Sequence, residues 1–167
     1  MSSNNENEPI IGIDLGTTYS CVAIMRNVNI EIIPDNKTGK KIIPSIVCFK
    51  SNNECLIGNS AKNNMLQYYQ STMYDSKRLI GYKFNNNHVQ KDIKNWPFKV
   101  IKDEKTGKPK YIIKIGNEEK EYFPEDVSSM ILSYIKKNAE TYNSYNEIKK
   151  VVIGVPCYNK SSRRSRI

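Results

Sequence analysis

The chain has 167 residues, 38% of them hydrophobic and 26% charged, a single-domain length with enough apolar material for a core. Its formal charge of +9 comes from scattered lysines, many beside acids as in Lys102-Asp103-Glu104-Lys105, and only Arg163, Arg164 and Arg166 cluster. That pattern argues against nucleic acid as a partner, and four cysteines without a CxxC pair, with His88 as the sole histidine, exclude a Cys/His zinc site.

Residues 1–8 are polar and read as a disordered leader, lacking the basic and apolar regions of a secretory signal. No stretch approaches the ~18 apolar residues of a membrane span, so no membrane partner is expected. Cys21, Cys48, Cys55 and Cys157 are expected as free thiols, mostly buried, in a reducing, cytoplasmic setting. The apolar run Ile10 to Leu15, ended by Gly16, predicts a buried strand, and Cys21 to Met25 predicts its hairpin partner. Asn29 to Ile33 and Ile42 to Phe49 predict two further strands, separated by the turn residues Pro34 to Gly39.

Helical patterning follows from Ser60 to Gln67. Asp75 is placed to cap a short helix through Lys77-Arg78-Leu79-Ile80, with Gly81 as its stop. Phe98 to Phe123 predicts strands with hairpin turns at Lys105-Thr106-Gly107-Lys108 and Gly116-Asn117. Pro124, then Glu125 and Asp126, open the clearest helix. Val127, Met130, Ile131, Tyr134, Ile135 and Tyr142 supply its core face. Val151 to Val155 predicts a buried strand whose apolar faces need covering by further elements. The triple Asn85, Asn86 and Asn87 reads as compositional bias.

The segment with the chemistry is Asp14-Leu15-Gly16-Thr17-Thr18-Tyr19-Ser20. A carboxylate at a strand end, then Gly and two Thr, suits a hairpin loop that holds phosphate. Gly16 allows close backbone approach, and the following amides with the Thr17 and Thr18 hydroxyls donate hydrogen bonds. Asp14 would repel phosphate but can hold hydrated Mg²⁺, which binds through few carboxylates and several waters. The same residues also suit a plain tight turn with Gly at positive φ.

The run Ile11-Gly-Ile-Asp-Leu-Gly-Thr-Thr-Tyr-Ser-Cys-Val22 resembles the opening signature of the 70-kDa heat-shock protein family. Further matches follow in the family's order: Ile57-Gly58 with Ala61-Lys62-Asn63, Asp75 to Gly81, Asn95-Trp96-Pro97-Phe98, Pro124 to Met130, and Val151 to Pro156. The resemblance implies an α/β fold, the ribonuclease-H-like half of an actin-like ATPase. That means a mixed five-stranded sheet with a helix, plus an inserted sheet-and-helix subdomain around residues 45 to 120 and beyond. It implies a partial nucleotide-binding domain over residues 9–158, followed by a divergent basic tail at 159–167. It also implies ATP or ADP with Mg²⁺ as cofactors, and unfolded peptides and co-chaperones as the parent family's partners.

Residue by residue, the resemblance sets Asp14 at the metal-side carboxylate and Gly16, Thr17, Thr18 and Tyr19 in the first phosphate loop. Lys77 matches the catalytic lysine that reaches toward the terminal phosphate and the attacking water, and Pro156 matches a proline that signals nucleotide state. Arg78 is expected to be structural. Arg163 is not assigned the family's switch role, because the run before it is one residue short. Ile43 stands where the family usually has Thr, which implies a packing change. These residues include no second Asp-x-Gly-Gly loop, adenosine-binding segment or peptide-binding domain. A fragment that binds nucleotide or a partner without turnover, and a gene remnant to which the Ser161 to Ile167 tail would be suited, both stay open on this reading.

Overall fold

The computed structural model describes residues 8–26, 28–144 and 146–154. The first strand, β1 (Ile10–Asp14), buries Ile11 and Ile13 on one face and leaves Gly12 and Asp14 on the other. The period-2 alternation of a half-covered strand explains this. It pairs antiparallel with β2 (Tyr19–Arg26), which buries Ser20, Val22 and Ile24 and in turn pairs with β3 (Asn29–Ile32).

The apolar run from Ile42 to Phe49 is not one strand. It divides into β4 (Ile43–Pro44), which pairs with Tyr19 and Ser20 of β2, and β5 (Val47–Phe49), which enters a different sheet. Pro44 has no N–H to donate to a ladder. Ser45 then turns its amide to the Thr18 carbonyl, at 2.9 Å, so the chain leaves the first sheet there. Ile43, 1% exposed, is core, so the change from the family's Thr is one of packing.

The sheet of β5 is completed by β6 (Cys55–Ile57) and β7 (Thr72–Met73), with α1 (Asn59–Asn64) between them in the chain. The short helix α2 (Ser76–Leu79) ends as expected before Gly81, which has φ 79°. Asp75 stands at its N-terminus, but in the left-handed region at φ 58° and without a capping bond. Its carboxylate accepts from Trp96 Nε1 at 3.0 Å instead. Helix α3 (Asn87–Ile93) was not expected from the sequence; the Asn86 side chain accepts from the His88 amide at 2.9 Å and starts it.

An antiparallel meander of β8 (Lys99–Lys102), β9 (Pro109–Ile115) and β10 (Glu118–Tyr122) follows. Helix α4 (Pro124–Tyr142) opens with Pro124, and Asp126 accepts the Phe123 amide at 2.7 Å. Val127, Ile131, Ile135 and Ala139 of α4 are fully buried against the strands. Each large aliphatic buried this way is worth ~1.5–3 kcal/mol. Tyr142 is not core: it is 42% exposed, with Arg26 over its ring. Among the thiols, Cys48 is buried but Cys55 is exposed and Cys21 half-buried.

The last strand, β11 (Lys150–Gly154), pairs parallel with β1, so the main sheet has the order β11-β1-β2-β3 with β4 on β2. One parallel pair among antiparallel ones makes this the mixed five-stranded sheet of the expected partial actin-like fold. The leader over residues 1–7, Val155, Pro156, Cys157, Arg163 and the basic tail lie outside the described residues. Among the described residues, no helix is long and apolar enough to cross a membrane.

Candidate phosphate-binding site

Strand β1 carries Asp14 to its C-terminal end, on the open face, between Cys21 of β2 and Gly154 of β11. Among the described residues its carboxylate has no hydrogen bond or ion pair. A Cβ at Gly154 would stand 3.9 Å from Asp14 Oδ1, so the neighbouring strand leaves that side of the carboxylate uncrowded. A lone, exposed carboxylate suits Mg²⁺, which keeps most of its waters and takes one or two protein carboxylates. No group of three His, Cys, Asp or Glu side chains among the described residues forms a protein cage for a metal.

The loop after Asp14 is fixed by its own backbone and by Ser45. A Cβ on Gly16 would lie 2.0 Å from the Tyr19 carbonyl oxygen, so any side chain there would break the hairpin. Gly16 is not among the positive-φ glycines, so the residue is required for space within the turn rather than for a left-handed backbone. Ser45 Oγ donates to the Gly16 carbonyl at 2.9 Å, and its amide donates to the Thr18 carbonyl at 2.9 Å. Ser45 Oγ has a single proton, so Ser20 Oγ, 2.9 Å away and buried, is the donor in their contact.

These bonds turn two loop carbonyls toward β4. The complementary groups are left over: among the described residues, the amides and hydroxyls of Thr17 and Thr18 have no hydrogen-bond partner. Thr17 is half-buried and Thr18 exposed, so these adjacent donors are open to solvent and to an acceptor that arrives from outside.

Thr17, Thr18 and Tyr19 line a cavity of ≈ 320 Å³ together with Lys62, Met65 and Asp75. Lys62 on α1 donates from Nζ to the Tyr19 hydroxyl at 3.0 Å and lies 5.2 Å from the centre of its ring. That hydrogen bond, then the Lys62 charge and a smaller effect of Lys40, hold the Tyr19 phenol below its ordinary value. Asp75 is fixed by Trp96, whose ring stacks on Phe98 at 5.3 Å, and by Arg78 at 3.5 Å. Arg78 also pairs with Asp92 at 3.6 Å, so it is committed to two carboxylates.

The structure thus gathers the expected loop residues Thr17, Thr18 and Tyr19 with Lys62 and Asp75, neither of which was expected at the site. Asp14 and Lys77 are not among the residues lining that cavity. Lys77 lies on α2, two positions beyond Asp75, half-buried and without an ion pair or hydrogen bond among the described residues. Helix α2 is itself anchored on α4 by the buried contact of Ser76 Oγ with Ser128 Oγ at 3.0 Å. Lys62 and Ser45 did stand within recognised motifs. Nothing local in either motif points to the loop, because their partners are 43 and 29 residues away in the chain.

The family model described as Hsp70 protein matches residues 10–167. The heat shock 70 kDa protein of Trichophyton rubrum is 47% identical over 156 residues, covering 93% of this chain and 23% of its own length. Heat shock cognate 70 kDa protein 3 of Dictyostelium discoideum is 45% identical over 154 residues, covering 92% of this chain and 24% of its own. The putative heat shock 70 kDa protein 7 of Homo sapiens is 43% identical over 157 residues, covering 94% and 41%. The chain spans about a quarter of the length of the first two relatives. With a family model matched over nearly all its residues, the chain belongs to the Hsp70 protein family.

Proposed function

We propose that this chain supplies the first phosphate-binding loop of the nucleotide-binding domain of an ATP-dependent molecular chaperone. The observation that carries the reading is the set of free donors on Thr17 and Thr18, beside a Gly16 whose turn admits no side chain. Carbonyl oxygens would repel phosphate, and Ser45 holds two of them back. Residues 9–158 form the nucleotide-binding portion, preceded by a leader at 1–8 and followed by a divergent tail at 159–167.

In this reading the Thr17 and Thr18 amides and hydroxyls and the Tyr19 amide hold ATP or ADP phosphates, and Asp14 takes a water-bearing face of Mg²⁺. The metal, when bound, neutralises phosphate charge. Lys77 is the catalytic cation, acting where charge spreads over the transferring group. Nucleotide exchange and hydrolysis would switch affinity for exposed apolar peptides, with co-chaperones as further partners and the cytoplasm as the compartment.

The test is titration with Mg-ATP, comparing the parent chain with Thr17→Ala/Thr18→Ala and Asp14→Asn. Loss of binding in the double variant and loss of Mg²⁺ dependence in Asp14→Asn are expected. Unchanged binding in both would rule the loop out. A second reading, nucleotide binding without turnover, is favoured by the position of Lys77 away from the cavity lining. Lys77-dependent hydrolysis would exclude it.

A further inference from the structure

We propose that Trp96 is a positioning residue for Lys77, acting through Asp75 to set where that ammonium stands beside the phosphate loop. The inference rests on the phosphate-loop and Lys77 reading above. Among the described residues Lys77 has no hydrogen bond or ion pair, so its place is set by the backbone of α2. A helix of four residues is far too short to hold itself. Its position comes from the three residues before Lys77, each tied to a different segment.

The Tyr74 carbonyl accepts from the hydroxyl of Tyr111, fully buried on β9, at 2.8 Å. Asp75 accepts from Trp96 Nε1 at 3.0 Å, and Ser76 Oγ meets Ser128 Oγ of α4 at 3.0 Å. The tie at Asp75 matters most. Asp75 has φ 58° and ψ 25°, a left-handed backbone that a residue other than glycine keeps only where its surroundings hold it. The indole has one proton to give. Its ring is locked, stacked on Phe98 at 5.3 Å, while Phe98 meets Tyr74 at 4.9 Å and Tyr111 at 5.3 Å. Arg78 adds little at Asp75, because its side chain is 53% exposed and is shared with Asp92. Tyr74 and Asp75 line the same cavity as Thr17, Thr18 and Tyr19, so a turn of residue 75 changes how α2 sits against the loop. For a cation that acts on a transferring group, a misplacement of about 1 Å is costly.

The test is NMR of the full chain during titration with Mg-ATP. It follows the Thr17 and Thr18 amides and the Lys77 side-chain signal, the latter assigned with Lys77→Arg. In the parent both sets should shift. Trp96→Phe keeps a ring on Phe98 but removes the donor; it should lose most of the Lys77 shift and keep the Thr17 and Thr18 shifts. Asp75→Ala should do the same, whereas Asp75→Asn, which retains an acceptor for the indole, should stay close to the parent. Tyr134→Phe, which weakens the Asp35 turn instead, should leave the Lys77 shift intact, and this separates positioning from stability. Trp96 is the chain's single tryptophan, so its emission reads the bond directly and should move more in Asp75→Ala than in Asp75→Asn. Emission unchanged in Asp75→Ala would overturn the proposal. So would a parental Lys77 shift in Trp96→Phe and Asp75→Ala, or an equal loss of that shift in Tyr134→Phe. If the parent's Thr17 and Thr18 amides shift but Lys77 does not, the loop reading stands and this proposal fails. If neither shifts, both fail.

Discussion

Tyr134 of α4 donates its hydroxyl to Oδ1 of Asp35, a carboxylate that is 1% exposed in the turn after β3. The other oxygen of Asp35 accepts from Thr38 Oγ1 at 2.6 Å and Asn59 Nδ2 at 3.2 Å. One buried carboxylate therefore joins the turn, the start of α1 and the middle of α4. Tyr134→Phe leaves the carboxylate short of one donor and should cost about 1–3 kcal/mol, read as a shift of the urea midpoint at constant slope.

The same carboxylate makes stability depend on acid. Burial pushes Asp35 up, but bonds from Thr38, Tyr134, Asn59 and the Lys37 backbone outweigh it and leave it below its ordinary value. Asp103 behaves likewise on the meander: the Lys110 ammonium at 2.8 Å, then the Thr106 hydroxyl at 2.6 Å, hold it at about 2, against an ordinary 3.8. A lowered folded value means that the contribution is present above the unfolded value and lost as pH falls through the folded one. For Asp103 the window runs from 3.8 down to about 2. Lys110→Met should flatten the acid limb of a stability–pH curve there, and a curve identical to the parent's would refute the assignment.

Ser45 should matter to binding and to stability together. Ser45→Ala releases the Gly16 carbonyl and the buried Ser20 hydroxyl, at a cost of about 1–3 kcal/mol for the unpaired group. With that carbonyl free to turn toward the ligand, Mg-ATP or tripolyphosphate affinity should fall as well. Gly16→Ala should be the more severe change, since its methyl group would stand 2.0 Å from backbone. Denaturation and titration of both variants check the order; a Gly16→Ala chain as stable as the parent would contradict it.

How much of this was readable beforehand varied with the range of the interaction. The β1–β2 hairpin and α4 were legible because their apolar residues recur at strand or helix period, and each has a local start or stop. The division of Ile42 to Phe49 was not, because the apolar run continues on both sides of Pro44-Ser45 and the cause, the Ser45 bonds to Gly16 and Thr18, lies in another segment. Helix α3 was hidden in the Asn triple, where Asn86 is a cap rather than composition. Asp75 looked like a cap from its position, yet Trp96, 21 residues on, claims its carboxylate. The loop residues Gly16 to Tyr19 were legible as a motif. Lys62 and Asp75, which line the same cavity, come from the inserted elements far along the chain, and no local pattern encodes that.

The open face of the main sheet should govern solubility. Met25, Ile30, Ile32 and Val152 share the face of Gly12 by register and are 43%, 73%, 49% and 64% exposed. Contiguous apolar surface of this kind is an association liability. Ile30→Lys with Val152→Lys should reduce light scattering on heating while leaving the melting temperature within a few degrees, because neither residue is buried in the core. A double variant that scatters as much as the parent would place the liability elsewhere.

The final expectation concerns turnover by these 167 residues alone. They hold one phosphate loop, Asp14 and Lys77, and contain no second Asp-x-Gly-Gly run to face that loop. Asp14 and the Thr18 loop position are exposed, and Lys77 does not line the cavity. Fixed charges stabilise a transition state strongly only where water is excluded and the donors are already aimed at the developing charge. An open site should therefore bind Mg-ATP through phosphate contacts at about millimolar Kd, near −4 kcal/mol, with hydrolysis at the uncatalysed background. When the chain is fused to the remaining length of a relative, Lys77→Ala should lower kcat much more than it raises KM, because its charge is of most use in the transition state. Asp14→Asn in the same fusion should weaken Mg²⁺-dependent binding instead. Single-turnover assays on the chain and on the fusion distinguish the cases. Micromolar binding with Lys77-dependent turnover by the 167 residues alone would mean that their own cavity, or a pair of chains, completes the site.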